Sequence, residues 1–189
     1  MINDAEILNL MQQHCNFVDE IAEDTFEKNI VLPLLQVMNF DYEFGATKLV
    51  IIPDDTSFVI KIPFSATITN NCYEPIIDYC SAEMDIYQHS ETEKCENFFL
   101  PLELMGRING YPIYKQEKAE IEENDTELLV LPMKETIWYQ IAKETKNFEK
   151  FLKFCRIEKI EDLRAENLGY YNDVPVVIDY GGFIGGVFG

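Results

Sequence analysis

Basic residues are scarce in this sequence. Fifteen Lys and Arg residues stand against 34 Asp and Glu residues in 189 positions, which gives a formal net charge of −19. A surface of this sign repels phosphate backbones and anionic membrane surfaces. We therefore expect neither direct nucleic-acid binding nor membrane binding. The same charge attracts a basic protein partner. A protein that imitates a polyanion therefore remains an alternative function.

Long apolar runs and paired cysteines are also lacking. No stretch approaches the roughly 20 apolar residues of a membrane-spanning helix, and no basic-then-apolar secretory signal opens the chain. The five cysteines are odd in number and scattered, which indicates reduced thiols rather than a disulfide framework. These absences predict a soluble, cytoplasmic protein. The cysteines are Cys15, Cys72, Cys80, Cys95 and Cys155.

Histidine is rare as well, with His14 and His89 alone. Neither belongs to a motif of a Ser-His-Asp or Cys-His nucleophile. Cys72, Cys80, His89 and Cys95 share one stretch, but they lack the tight paired spacing of a zinc site. We expect no zinc site there.

Two apolar series with helical spacing predict helices in residues 1–40. No catalytic motif accompanies these series, so we interpret the helices as packing elements that extend the N-terminus. The first series is Ile7, Leu10, Met11, His14 and Val18, and the second is Ile21, Phe26, Ile30 and Leu34.

Two β-branched runs, 47–52 and 57–62, flank a Pro-Asp-Asp turn and predict a β-hairpin. Period-two geometry places Val59 and Lys61 on the face opposite Ile60. A lysine thus lies in mid-strand, on a face suited to line a cleft.

A helix over 76–89, with Glu83 on its apolar side, follows this hairpin. Extended runs at 98–105 and 111–118 come next. The order strand, strand, helix, strand, strand predicts a small antiparallel sheet with one helix across it. The acid-rich segment 117–127 is typical of a solvated linker between lobes.

Beyond the linker, apolar spacing from Ile137 to Cys155 predicts one long amphipathic helix, with Trp138 and Phe151 broadening its apolar side. A glycine-rich, apolar tail occupies 181–189. A chain of this size can bury the core of one domain or of two small lobes.

These patterns predict an α+β fold in three parts. They are a helical extension at 1–40, a lobe of sheet and helix at 41–120, and a reduced, mostly helical lobe at 121–189.

Five polar residues follow one another along the chain in the order Lys61, Glu83, Asp162, Asn167 and Asp179. Asp162 and Asn167 stand in Asp-Leu-x-x-x-Asn, and Asp179 opens Asp-Tyr-Gly. This order resembles the protein-kinase-like fold, in particular small bacterial and phage kinase-like proteins. The resemblance covers roughly 44–181 and implies two lobes, the second of them truncated.

The resemblance implies a role for each of these residues. Lys61 would contact the α- and β-phosphates of ATP, and Glu83 would hold Lys61 in an ion pair. Asp162 would orient or deprotonate the accepting hydroxyl group. Asn167 and Asp179 would bind Mg²⁺, for which hard oxygen donors are suited.

The sequence departs from the family at several points. Only Gly45 stands where a glycine-rich phosphate loop is expected, and Val59 narrows the space for adenine. Glu161 adds a negative charge where the family has a basic residue. Ten residues follow Asp179, so we expect the helices that seat a protein substrate to be missing.

Two functions remain open on these grounds. The first is a kinase-fold protein that binds ATP and Mg²⁺ and transfers phosphate to a small molecule or a protein. The second is a catalytically silent, pseudokinase-like interaction protein or phage-type inhibitor, whose acidic surface binds a basic partner.

Overall fold

A computed structural model describes residues 3–17, 23–45, 47–63, 68–69, 72–73, 78–121 and 132–181, with the backbone alone at 68–69 and 72–73. The fold is α+β, as predicted. Contacts divide the chain into two units, Met1–Cys80 with Leu102–Glu117, and Ser81–Pro101 with Lys118–Gly189.

Helices and strands occur in both units. The helices are α1 (Asp4–His14), α2 (Glu23–Phe26), a π-helical turn (Glu27–Val31), α3 (Leu32–Leu34), α4 (Tyr79–Glu93), α5 (Ile137–Ala142) and α6 (Phe148–Ile157). The strands are β1 (Phe40–Phe44), β2 (Lys48–Pro53), β3 (Phe58–Pro63), β4 (Ile68–Thr69), β5 (Cys72–Tyr73), β6 (Leu102–Ile108), β7 (Tyr111–Glu117), β8 (Glu120–Ile121), β9 (Leu168–Tyr171) and β10 (Val174–Val177).

The strands form antiparallel sheets. The first unit contains a five-stranded sheet in the order β1-β2-β3-β7-β6 and the small pair β4-β5, and the second contains β10-β9-β8. The predicted hairpin of β2 and β3 is present, with Val50 opposite Lys61. Within the described ranges, no helix is long and apolar enough to cross a membrane.

Helix α1 packs on one face of the five-stranded sheet. Asn3 and Glu6 form a capping box, in which each side chain accepts a hydrogen bond from the other residue's backbone N–H, at 3.1 and 2.9 Å. Ile7 is fully buried, as its helical spacing predicted. Lys115 of β7 donates to Asp4 Oδ2 at 2.7 Å and fixes the start of the helix against the sheet.

The core of the first unit lies between these N-terminal helices and one face of the sheet. Apolar side chains at alternating strand positions point to one face of the sheet and supply its part of this core. The fully buried strand residues are Leu49, Ile51, Ile60, Ile62 and Ile113.

Aromatic rings dominate the core of the second unit. The rings of Phe98 and Phe151 lie 4.8 Å apart, and Trp138 lies 5.9 Å from Phe151. Trp138 and Phe151 are fully buried. Offset and edge-on aromatic pairs add to the free energy of area burial.

The predicted long helix from Ile137 to Cys155 is wrong, because the structure has two helices there, α5 and α6. Asn147 interrupts the segment in a left-handed conformation, with φ at 71°. Ile137 is 64% exposed and Ile141 44% exposed. The break between the helices lets the rings of Trp138 and Phe151 lie 5.9 Å apart in one core, whereas 13 residues of a straight helix would separate them by about 20 Å.

The predicted strand at 98–105 begins later than expected. Glu96–Phe98 form a 3₁₀ turn, and Phe98 and Phe99 lie in the core of the second unit. β6 starts at Leu102 instead. Aromatic residues suit strands by propensity, but here their burial in a separate core overrides it.

Some predicted features lie outside the described residues. They are Val18 and Ile21 of the N-terminal series, residues 76–77 of the helix predicted over 76–89, residues 122–127 of the acid-rich segment, and the tail beyond Gly181. The described start of the acid-rich segment forms β8, which pairs Glu120 with Tyr170.

Gly169→Ala is expected to lower the free energy of unfolding by about 2 kcal/mol, because added bulk in tight packing forces backbone shifts. A Cβ at Gly169 would lie 2.9 Å from the backbone oxygen of Glu120. Urea unfolding of the variant measures this loss.

Gly106→Ala is the matched control. Its Cβ would meet Leu8 Cδ1 at 2.7 Å, but this contact is with the end of a side chain that can rotate. We expect a loss below about 1 kcal/mol. Equal losses at Gly106 and Gly169 would contradict the rigid approach of β8 to β9.

The cysteines predict a loss of stability at alkaline pH. The four whose side chains are described are free and buried. Burial raises the pKa of Cys15 to about 12 and that of Cys95 to about 11. Above about pH 9 the unfolded thiols ionise while these folded thiols keep their protons, so the free energy of unfolding falls by about 1.4 kcal/mol per pH unit for each thiol.

Urea unfolding at pH 8, 9 and 10 measures this dependence. Cys95→Ser, which removes one titrating thiol, should reduce the slope between pH 9 and 10 by about 1.4 kcal/mol per pH unit. An unchanged slope in the variant would contradict the raised pKa of Cys95.

Candidate functional site

Lys61 lies in β3, the middle strand of the five-stranded sheet, and only 4% of it is exposed. Pairing with Val50 on one side and Tyr114 on the other fixes its backbone. A buried ammonium group is costly unless it is paired, and Lys61 does have an interaction partner. The predicted phosphate-binding lysine is therefore held in a fixed, largely dehydrated position.

Lys48 is a second buried lysine on the same face of the sheet, and the sequence reasoning missed it. It is 2% exposed. Since Val50 pairs with Lys61, the two-residue alternation of β2 puts Lys48 on the face of Lys61. That alternation was the available signal. This face of the sheet therefore carries two buried ammonium groups.

Gly45 and Val59 were predicted to lie near the phosphates and the adenine ring. The backbone N–H of Gly45 donates to the Lys48 carbonyl group at 2.9 Å and closes the short connection between β1 and β2. A Cβ on Gly45 would make only ordinary contact, at 3.5 Å from that oxygen. Val59 is partly exposed and pairs with Gln116. The Gly45 amide is thus engaged within the turn.

Glu83 lies on α4 in the second unit and is fully buried. Burial raises the pKa of the Tyr180 hydroxyl, and the nearby negative charge of Glu83 raises it further. The Glu83 carboxylate is therefore close to the phenol of the residue that follows Asp179.

The segment from Asp162 to Asn167 forms a short, internally bonded loop after α6. Asn167 Nδ2 donates to the backbone oxygen of Asp162 at 2.8 Å. Ala165–Asn167 form a 3₁₀ turn that ends the loop. This bond orients the amide group of Asn167, so that Oδ1 is its remaining acceptor.

The hairpin β9-β10 connects this loop to Asp179. Its turn residues, Asn172 and Asp173, both have positive φ, at 51° and 62°, as a tight two-residue hairpin requires. At the other end, the Ile178 N–H donates to the Asn167 carbonyl group at 2.9 Å. Asp179 follows Ile178 directly, so the hairpin brings the backbone before Asp179 to that of Asn167.

Two buried aromatic residues hold this hairpin in place. Trp138 Nε1 lies 3.1 Å from the carbonyl oxygens of Gly169 and Val176, one on each strand, and donates to both. Tyr180 donates from its hydroxyl group to the Leu100 carbonyl oxygen at 2.8 Å. These contacts fix the backbone on both sides of Asp179.

Arg164 is a further site residue that the sequence reasoning missed. Its Nε donates to Asp162 Oδ1, and its guanidinium group lies 3.4 Å from Glu166. The Asp-x-Arg spacing within the loop was the signal. One carboxylate oxygen of Asp162, the predicted base, therefore accepts a hydrogen bond from the positively charged Arg164.

Two residues of the second unit carry oxygen donors of the kind that Mg²⁺ prefers. Asn167 offers an amide oxygen and Asp179 a carboxylate, and Mg²⁺ in phosphotransferases takes few protein ligands, the rest being water and phosphate oxygens. In the described part of the chain, no three His, Cys, Asp or Glu side chains are grouped to hold a metal ion. A metal here would depend on a phosphate ligand.

The chain matches no protein-family model. A search of curated proteins likewise finds no match.

Proposed function

We propose that this protein is a kinase-like nucleotide-binding protein that takes ATP with Mg²⁺ and transfers phosphate to a small molecule or a protein. The observation that carries the proposal is the pair of hydrogen bonds at Asn167. One joins Asn167 to Asp162, and the other joins it to Ile178, next to Asp179. These bonds tie the backbones of the Asp162 loop and of the segment before Asp179 to one residue, which supports the proposal that the three side chains act together.

The roles follow from the chemistry of each group. Asn167 and Asp179 would hold Mg²⁺, which neutralises charge on the phosphoryl group when bound. Asp162 would accept a hydrogen bond from the attacking hydroxyl group and orient it. Lys61 would bind phosphate oxygens, and an ion pair with Glu83 is a prediction of the proposal.

The buried lysine face of the first unit supports phosphate binding by side chains. In kinases a glycine-rich loop surrounds the phosphates with backbone amides, but the Gly45 amide is engaged in its turn. Lys48 adds a second ammonium group to the face of Lys61, and charge-assisted hydrogen bonds to phosphate are among the stronger ones. We therefore assign Lys48 to phosphate binding beside Lys61.

Calorimetric titration of the whole chain with ATP, with and without Mg²⁺, tests the proposal. We expect saturable binding that requires Mg²⁺. If about 1 mM ATP produces neither binding heat nor thermal stabilisation, the proposal is refuted. The free energy of binding would then be weaker than about −4 kcal/mol.

The alternative is the acidic interaction protein, and the Arg164 contact favours it. A guanidinium group on Asp162 competes with the hydroxyl group that a kinase base must orient. Under this alternative a basic protein binds the chain, salt weakens the complex steeply, and Asp179→Ala leaves it intact. A complex that Asp179→Ala disrupts would instead favour the nucleotide-binding site.

A further inference from the structure

A cavity in the second unit lies between the end of α4 and one side of α6. Its volume is about 330 Å³, within the range of small-molecule sites. His89 on α4 lies 3.7 Å from Glu158, which follows α6, and this contact links the two helices beside the cavity. None of the residues assigned to nucleotide binding lines it.

The cavity has a cationic rim and an apolar wall. Lys94, Lys150 and Lys153 supply three ammonium groups against the single carboxylate of Glu93, and Phe154 and Ile157 supply the apolar surface. Among the described residues, none of the three lysines forms an ion pair.

This local charge contrasts with that of the chain. The residues that line the cavity include three lysines and one glutamate, a net charge of +2 in a chain of −19. In such a chain the rim is a separate positive region that attracts anions.

The helix dipole does not account for the two α6 lysines. Cations are favourable near a helix C-terminus and unfavourable near an N-terminus. Lys150 lies in the first turn of α6, and Lys153 lies in its middle. Lys94 alone, which follows α4, has the position that stabilises a helix end. Their shared position around one cavity points instead to an anionic ligand.

We propose that this cavity binds a small organic phosphate. The phosphoryl group lies among Lys94, Lys150 and Lys153, and the apolar part of the ligand packs on Phe154 and Ile157. Three ammonium donors match the several acceptor oxygens of a phosphate monoester, and the apolar wall favours an organic ester over free phosphate. The site is independent of the proposed nucleotide site.

Amide chemical shifts of the ¹⁵N-labelled chain test the proposal, with phenyl phosphate as the probe and inorganic phosphate as its comparison. EDTA is present throughout, so that metal-dependent binding elsewhere does not contribute. We expect saturable shifts concentrated at residues 92–94 and 150–157. Phenyl phosphate should bind about tenfold more tightly than inorganic phosphate, because its ring covers apolar surface.

Charge-removing variants locate the phosphoryl group. Lys150→Gln and Lys153→Gln should each weaken phenyl phosphate binding about tenfold, as expected for loss of a charge-assisted hydrogen bond. Lys150→Arg, which keeps the positive charge, should retain the affinity for phenyl phosphate. Lys134→Gln, which removes an exposed lysine outside the cavity, should leave the affinity unchanged. Shifts located elsewhere, or equal weakening by Lys134→Gln, would overturn the proposal.

Discussion

Replacing Trp138 by alanine is expected to lower the free energy of unfolding by about 4 kcal/mol, the cost typical of a large aromatic side chain lost from a core. Trp138 is fully buried, and its Nε1 donates to both strands of the hairpin β9-β10. Trp138→Phe keeps most of the volume but leaves two carbonyl acceptors without their donor. We expect that variant to lose about 2 kcal/mol.

Urea unfolding followed by far-ultraviolet circular dichroism is the suitable measurement, because Trp138 is the only tryptophan and the variants lose tryptophan fluorescence. Ile137→Ala serves as the control, since Ile137 is next to Trp138 in the sequence and is 64% exposed. We expect a change below about 0.5 kcal/mol there. A Trp138→Phe variant as stable as the wild type would contradict the structural role of the indole N–H.

Asp179→Asn is expected to abolish the Mg²⁺-dependent stabilisation by ATP. Under the proposed function, ATP at ten times its dissociation constant stabilises the wild type by about 1.4 kcal/mol. For a chain of this size that raises Tm by roughly 3–6 °C. Asparagine has nearly the same shape as aspartate but lacks the negative charge that Asp179 would offer to Mg²⁺ under the proposed function.

Thermal unfolding with and without ATP and Mg²⁺ measures the difference, so that any change in the variant's own stability cancels. Asp173→Asn makes the same chemical change at the exposed tip of the hairpin and should respond to ATP as the wild type does. A full ATP response in Asp179→Asn would exclude Asp179 as a metal ligand.

The sequence predicted the features that neighbouring residues encode. Two β-branched runs around a Pro-Asp-Asp turn sufficed for the hairpin that carries Lys61. This prediction depends on strand propensity and on turn chemistry. The local half of the candidate site is therefore encoded by residues close together in the sequence.

What failed depends on distant contacts. Ile137 and Ile141 have core-like chemistry but are exposed, so their spacing suggested one continuous helix. Lys48 was not predicted as a site residue, because its burial depends on what covers the sheet. The exposure of Ile137 and Ile141 and the burial of Lys48 depend on tertiary packing, which overrides local propensity.

The strand order of the five-stranded sheet has a consequence for synthesis of the chain. β3 pairs with β7. About 50 residues separate the two strands in the sequence, and these residues include part of the second unit. β7 therefore leaves the ribosome well after β3. Until then, the apolar hairpin that carries Lys61 presents an open edge, the kind of surface on which other chains add strands. The interval before β7 emerges is therefore the period in which the nascent protein is most exposed to aggregation and to chaperones.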